Sequence, residues 1–263
     1  MLDLRVRSVT WEAQDTLSYE LVHPQGGPLP VFEAGAHLEV DVPGGLRRRY
    51  SLHGAPSDRL RYRSAVLDVA GGRGGSRAMH QQVRPGQLLR VDGPFNHFPL
   101  AAQARRSILL AGGIGITPLM SMAEHLQAAG AQWELHYCTR SPERTAFIDA
   151  LAHGAWARRV HIHHDGGDPA RSLDLAALLR QPDEGTHVYY CGPAGFMAAA
   201  RAACAHWPAE QLHFEFFGAD PAALPAAPEA AGGGSGTVVL QRSGRTVTVA
   251  PEQTVLQALQ GLG

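Results

Sequence analysis

Over the first hundred residues, apolar and polar positions largely alternate. "LRVRSVTWEA", "LSYELVHP", "HLEVDVPGG", "RRRYSLHG" and "LRYRSAVLDV" each follow the two-residue period of a strand that buries one face. Turn residues separate them at short intervals, and after a short helix "QLLRVDGP" adds a further strand. This spacing predicts a small antiparallel barrel or sandwich. From Arg105 the rhythm changes. The short strands "SILLAGG", "QWELHYCTR", "RVHIHHD", "HVYYCGP" and "LHFEFFG" alternate with helical stretches, "TPLMSMAEHLQAAG", "AFIDALAHGA", "LDLAALLRQ" and "AGFMAAARAACAHW". That succession predicts a parallel sheet with helices on both faces. Residues 219–236, mostly Ala, Pro and Gly, read as a linker. Residues 237–263 read as a hairpin and the start of a helix, too little to bury a core alone.

Composition narrows the chemistry. With 263 residues and 44% hydrophobic content the chain can build two ordinary domains or one large one. A net charge of −1 supplies no electrostatic drive toward nucleic acid or an acidic membrane, and neither is expected as a partner. All 23 basic residues are Arg, which removes Schiff-base lysines, a pyridoxal-phosphate anchor and the P-loop lysine from consideration. Cys138, Cys191 and Cys204 are scattered and odd in number, which suits a reducing cytoplasm better than a disulfide framework. The N-terminus "MLDLRVRSVTWEAQD" carries charges where a signal peptide needs an apolar run. The longest uncharged stretch, 107–123, contains "GGIG" and a proline and reads as strand, turn and helix rather than a membrane span.

Two glycine-bearing turns stand where strands pass into helices. "LLAGGIGITPLMS" places Gly112, Gly113 and Gly115 at a strand exit, where a sharp turn and a helix N-terminus attract phosphate. "YYCGPAGFM" repeats the arrangement with Cys191, Gly192 and Pro193, so that the two turns border a crevice for an elongated ligand. In the first half, "RRRYSLHG" offers a fixed charge, a flat face and a hydroxyl, and "GGRGGSRAMHQQV" a second anion-accepting helix start. Together they describe a pocket for a planar aromatic phosphate ester. "VHIHHDGGD" gathers His161, His163, His164 and Asp165, but without a second ligand group downstream it reads as a strand end, and no metal is expected.

"RRYS", "GGRGGSRAMH", "AGGIGITPLMSM", "YYCGP" and "HFEFFG", in this order and spacing, resemble the ferredoxin-reductase-like flavoproteins of the phthalate dioxygenase reductase and vanillate demethylase reductase type. The resemblance covers residues 1–218 and implies β-barrel plus α/β architecture. An antiparallel FMN-binding barrel (1–100) would precede a parallel-sheet NAD-binding domain (105–218), a linker (219–236) and the beginning of a ferredoxin-like β-grasp domain (237–263). By resemblance Arg48 holds the flavin phosphate, Tyr50 packs on the isoalloxazine, Ser51 sits near its N5, and Leu52 completes the segment. Arg73, Gly74, Gly75 and Ser76 match the phosphate turn. Thr117 and Pro118 lie where nicotinamide docks, Gly113 and Gly115 line the dinucleotide crevice, and Cys191, Gly192 and Pro193 border nicotinamide and pyrophosphate. Phe217 is the aromatic that closes the interdomain face. Ser51, Thr117 and Cys191 are the residues expected to act in the reaction.

The implied activity is hydride transfer from NADH to FMN, followed by single-electron delivery to a Rieske-type oxygenase or a separate ferredoxin. The alternative is a stand-alone NAD(P)H-dependent flavin or ferric reductase with FMN or FAD. Arg140 and Arg144 follow the strand where the adenosine ribose lies and leave a 2′-phosphate open. The family's [2Fe–2S] ferredoxin domain uses C-x4-C-x2-C and a distant fourth cysteine. No cysteine follows Cys204, so this chain is expected to hold no cluster. Two departures, His53 and Gly54 in place of "CN" and Phe216 in place of a small or polar residue, are expected to alter the flavin environment.

Overall fold

Six strands close on themselves in the first half of the chain, which a computed structural model describes over residues 1–154, 156–218, 236–240, 244–250 and 258–259. They are β1 (Leu2–Ala13), β2 (Thr16–Val22), β3 (His37–Val42), β4 (Leu46–His53), β5 (Arg61–Leu67) and β6 (Leu88–Phe95). The barrel order is β1-β2-β5-β4-β3-β6, and β1 closes it by pairing antiparallel with both β2 and β6. Closure leaves no open strand edge. The inward positions of the two-residue period, among them Leu4, Val6, Leu38, Val40, Leu52 and Tyr62, fill the interior completely enough to be almost inaccessible to water. Helix α1 (Gly75–Gln82) lies between β5 and β6 in the chain and adds Met79 to that core.

The second half forms one parallel sheet. Its strands are β7 (Arg106–Gly112), β8 (Gln132–Thr139), β9 (Val160–His164), β10 (Thr186–Cys191) and β11 (Leu212–Glu215), in the order β11-β10-β7-β8-β9. Residues of β7 are buried on both faces. Leu109 and Ala111 join the core that includes α2 (Ile116–Ala128) and Leu151 of α3 (Ile148–His153). Ile108 and Leu110 join the core formed with α4 (Leu175–Leu178) and α5 (Ala194–Ala203). After β7 the chain proceeds outward to β8 and β9, then crosses back to lay β10 on the other side of β7. The β7/β10 boundary is therefore the switch point of the sheet, where open α/β sheets bind ligands beyond the strands' carboxyl ends.

The barrel and sheet share a core. Helix α2 lies against β4, and Ala13, Ala34, Ala65 and Phe98 from the barrel side pack in one cluster with Leu109, Ile116 and Leu119. Residues Met1–Gly218 consequently form one compact unit, with the barrel strands within 2–95 and the sheet strands within 106–215. In the second unit, Ala219–Gly263, β12 (Gly236–Val239) and β13 (Thr246–Val249) pair antiparallel, with Val247 buried. The expected linker falls on 219–235, outside the described residues, and Gly236 already belongs to β12. The expected helix falls mostly outside them too, with Ala258 and Leu259 helical. Among the described residues no helix is long and apolar enough to cross a membrane.

Gly35 marks how closely barrel and sheet approach. Its φ is +91°, and a Cβ there would lie 2.0 Å from the Phe98 carbonyl oxygen and 3.0 Å from Cε of Met122 on α2. Neither the backbone conformation nor the space admits a side chain. Gly35→Ala is expected to destabilise the fold by about 2 kcal/mol or more, measured as a lowered urea midpoint at unchanged m-value.

Candidate functional site

A cavity of about 240 Å³ opens where the barrel meets the sheet. The rim of β4 supplies Arg48, Arg49, Tyr50 and Ser51. Strand β5 and the turn after it supply Ala65–Leu67, Val69, Gly72 and Arg73, and α1 adds Gly75 and Ser76. From the sheet side come Ile114, Thr117 and Phe217. The structure thus brings together Arg48, Tyr50, Ser51, Arg73, Gly75, Ser76, Thr117 and Phe217 among the sequence-predicted residues. It does not bring the others to this cavity. Leu52 is one step too deep and belongs to the barrel core, Gly74 caps α1 on the exposed side, and Pro118 is buried in the first turn of α2.

One end of the cavity is built for an anion. Gly74 adopts φ +83° to start α1, and no side chain caps the helix, so its first N–H groups have no side-chain acceptor. Arg48 Nη1 donates to the Arg47 carbonyl at 2.8 Å and Nη2 to the Arg73 carbonyl at 2.9 Å, which holds the guanidinium beside that helix start. A Cβ on Gly75 would come within 2.6 Å of Arg48 Cγ and Nε, so the absent side chain at Gly75 is what lets Arg48 lie there. Ser76 serves the turn as well, its Oγ accepting from the Val69 N–H at 3.2 Å. An uncapped helix start and a fixed guanidinium fit a phosphate group.

The other end carries flat faces and a proton. Burial pushes the Tyr50 phenol up to about 12, so it presents a neutral aromatic surface. Phe217 is 46% exposed and belongs to the same lining. Thr117 is buried, and its Oγ1 donates to the Ile114 carbonyl at 3.1 Å, fixing the first turn of α2. Ser51 Oγ donates to Glu215 Oε2 at 3.3 Å. Burial raises the Glu215 carboxyl to about 7, against the opposing pull of the Ser51 hydroxyl and of the Arg49 charge. Glu215 was absent from the sequence-predicted set. Its one signal was being the acidic residue in the aromatic run "HFEFFG".

Cys191 ends β10 at the switch point. Its thiol is fully buried, and burial first, then the nearby Glu215 carboxylate, push it well above the ordinary thiol range. A neutral, enclosed thiol packs rather than reacts. The group that can hold or release a proton here near neutral pH is Glu215, paired with Cys191 across the β10/β11 ladder.

At the switch point the turns after β7 and β10 press backbone to backbone. A Cβ on Gly115 would lie 2.1 Å from the Cys191 carbonyl oxygen, and one on Gly192 would lie 2.7 Å from Phe196 Cδ1. Gly112 is equally confined, 2.9 Å from Phe196 and from Pro193 Cδ. Gly113 differs, with φ +51° and nothing within 4 Å of its Cβ direction, so it faces open space at the crevice. The expectation that Gly113 and Gly115 both line the crevice therefore divides. Gly113 gives it an open backbone face, and Gly115 lets the two strand ends meet. Phe196, which reaches over both turns, is a neighbour the sequence reading missed.

A larger cavity of about 510 Å³ lies elsewhere in the same unit, lined in part by Glu12, Glu20, His53, Arg63 and Glu124. It contains none of the predicted site residues, so the smaller cavity with its anion end and aromatic faces is the better candidate. His53, pushed down to about 3 by burial and packed on Phe147, lines this larger cavity together with Gly54. Phe216 packs toward the core of α4 and α5. The departures from the "SLCN" and aromatic patterns therefore fall outside the 240 Å³ cavity.

A closed barrel with an anion end, joined edge to edge with a parallel sheet whose glycine turns flank its switch point, defines a pyridine-nucleotide oxidoreductase. The oxidoreductase NAD-binding domain family matches residues 109–202. The chain is 44% identical to vanillate O-demethylase oxidoreductase of Pseudomonas putida over 100% of its own length and 81% of the relative's. It is 49% identical to the tert-butanol monooxygenase / tert-amyl alcohol desaturase reductase subunit of Aquincola tertiaricarbonis, over 82% of this chain and 64% of that one. Among solved structures, phthalate dioxygenase reductase, described as modular for electron transfer from pyridine nucleotides to [2Fe-2S], superposes with a TM-score of 0.82 at 42% identity, covering 99% of this chain and 80% of the other. The chain belongs to the phthalate dioxygenase reductase and vanillate demethylase reductase family.

The raised Glu215 carboxyl makes stability depend on pH with a definite sign. Between the ordinary value of 4.5 and about 7 the native state keeps a proton that the unfolded chain has released, so native stability falls as pH rises through that window. Glu215→Gln removes the dependence. The variant is expected to match the parent protein near pH 4.5 and to gain in relative melting temperature up to and beyond pH 7, read from paired thermal melts across the range.

Proposed function

We propose that this chain is the NADH-oxidising reductase component of a Rieske-type oxygenase, holding FMN in the 240 Å³ cavity and passing electrons singly to an iron–sulfur acceptor. The observation that carries the reading is the anion end of that cavity, where Arg48 and the uncapped start of α1 converge on one phosphate. Bound flavin would supply the conversion of a two-electron donor into one-electron steps.

The chain's own residues bind and orient. Arg48 and the first N–H groups of α1 anchor the phosphate, with Gly75 keeping the approach clear. Tyr50 and Phe217 line the cavity and would pack on the ring system, with Thr117 in the same lining. Gly113 gives the pyrophosphate a bare backbone to lie against at the switch point. Ser51 and Glu215 form a hydroxyl–carboxyl pair at the reacting edge, with Glu215 poised near neutral pH to hold or move a proton at Oε2. NADH is the proposed donor, with Arg144 of the neighbouring turn paired to Asp15 at 3.4 Å.

The relatives support the system into which the chain would fit. By their names they include a vanillate O-demethylase oxidoreductase, a phthalate dioxygenase reductase and a tert-butanol monooxygenase reductase subunit. The purified protein is expected to carry flavin released as FMN by mass. A colourless protein that takes up no flavin overturns the reading, and FAD in its place overturns the FMN assignment. Ser51→Ala is expected to slow flavin reduction by NADH by roughly 10-fold, the loss of one hydrogen bond in the transition state, with a smaller change in NADH affinity. An unchanged reduction rate would remove Ser51 from the reacting edge.

A further inference from the structure

The outer edge of the sheet carries imidazoles that the proposed reaction does not use. Strands β8 and β9 pair in parallel with His136 opposite His161. Strand alternation places Glu134 and His136 on the face opposite Leu135 and Tyr137, which enter the core beneath. The His136 ring stacks on His161 at 4.8 Å and on His163 at 5.4 Å between centroids. His136 Nδ1 lies 3.2 Å from His163 Nε2. His136 is 7% exposed, and its Nε2 is buried without a hydrogen-bond partner, 3.8 Å from Glu134 Oε2.

We propose that Glu134, His136 and His161 form a binding site for one borderline divalent cation of the Zn²⁺ class. One donor atom from each lies within 4.8 Å of the others. Two imidazoles and a carboxylate suit Zn²⁺, Co²⁺, Ni²⁺ or Cu²⁺ rather than Mg²⁺ or Ca²⁺, which take oxygen ligands. Ligands bound at about 2.1 Å with tetrahedral angles stand roughly 3.4 Å apart. The remaining closure falls to His161, whose side chain is exposed. Arg106 Nη2 donates to Glu134 Oε1 at 2.7 Å, which orients the carboxylate and leaves Oε2 facing His136.

The support around the site is of the kind metal ligands use. With Nδ1–H of His136 donating to His163 Nε2, the lone pair of Nε2 points into the cluster, and His163 fixes the ring and its tautomer from outside. A cation would also satisfy a buried nitrogen that otherwise makes no hydrogen bond. Its structural effect is to tie the edge strand β9 to β8. Reading β9 alone as a strand end missed this, because Glu134 and His136 join the cluster only through strand register.

The test is calorimetric titration of the chelator-treated, full-length protein with zinc chloride, with thermal melts in parallel. One ion per chain and a raised melting temperature are expected. Because His136 is buried, the exposed His161 carries the mutational test. His161→Ala is expected to abolish stoichiometric binding and the melting shift, His163→Ala to weaken affinity by roughly 10- to 100-fold, and His153→Ala, outside the cluster, to change neither. Failure of the parent protein to take up one zinc ion overturns the proposal, as does full uptake and melting shift in His161→Ala.

Discussion

The packing of α2 against β4 is the contact on which the rest of the molecule depends. It joins a barrel and a sheet that would otherwise end in separate cores, through Ala13, Ala34, Ala65 and Phe98 on one side and Ile116 and Leu119 on the other. The small residues matter because they let backbones approach, most sharply at Gly35 beneath the Phe98 carbonyl. Once the two halves are locked, the rim of β4 with Tyr50 and Ser51 lies beside the start of α2 with Thr117. On the proposed function, a ligand held by the barrel and one held at the switch point would be neighbours. Fixed proximity of that kind is the main thing a protein contributes to transfer between two bound cofactors.

The same closure sets the electrostatics. Glu215 ends β11 hydrogen-bonded to Ser51 of the cavity wall, and burial there costs its ionised form more than Ser51 and Arg49 return. Cys191, one strand inward, is fully enclosed, and burial pushes its thiol well above the ordinary range. The two neighbours are thus separated by depth. The partly enclosed carboxyl titrates near neutrality, whereas the fully enclosed thiol does not titrate there.

Much of this was legible in the chain because it is local. Arg48, Tyr50 and Ser51 follow one another on a single strand, and Gly75 and Ser76 open the helix that faces them, so one motif specifies the anion end. Alternating strand and helix signals likewise gave the parallel sheet, although the choice between barrel and sandwich needed the pairing of β1 with both β2 and β6. What stayed hidden depends on tertiary placement. Glu215 acquires its shifted carboxyl from burial, Phe196 its contacts from two turns meeting, and the Glu134–His136–His161 cluster its proximity from register across β8 and β9. Leu52 shows the converse, since it shares the β4 motif with Tyr50 and Ser51 but passes one step into the barrel core.

The central claim is that the barrel cavity and the switch-point crevice cooperate in one hydride transfer. Anaerobic single-turnover mixing of the flavin-loaded protein with NADH, and with NADH deuterated at the transferred C4 position, tests it most directly. The account predicts rapid bleaching of the flavin absorbance with a rate slowed by deuterium. Absorbance that persists after mixing would contradict it.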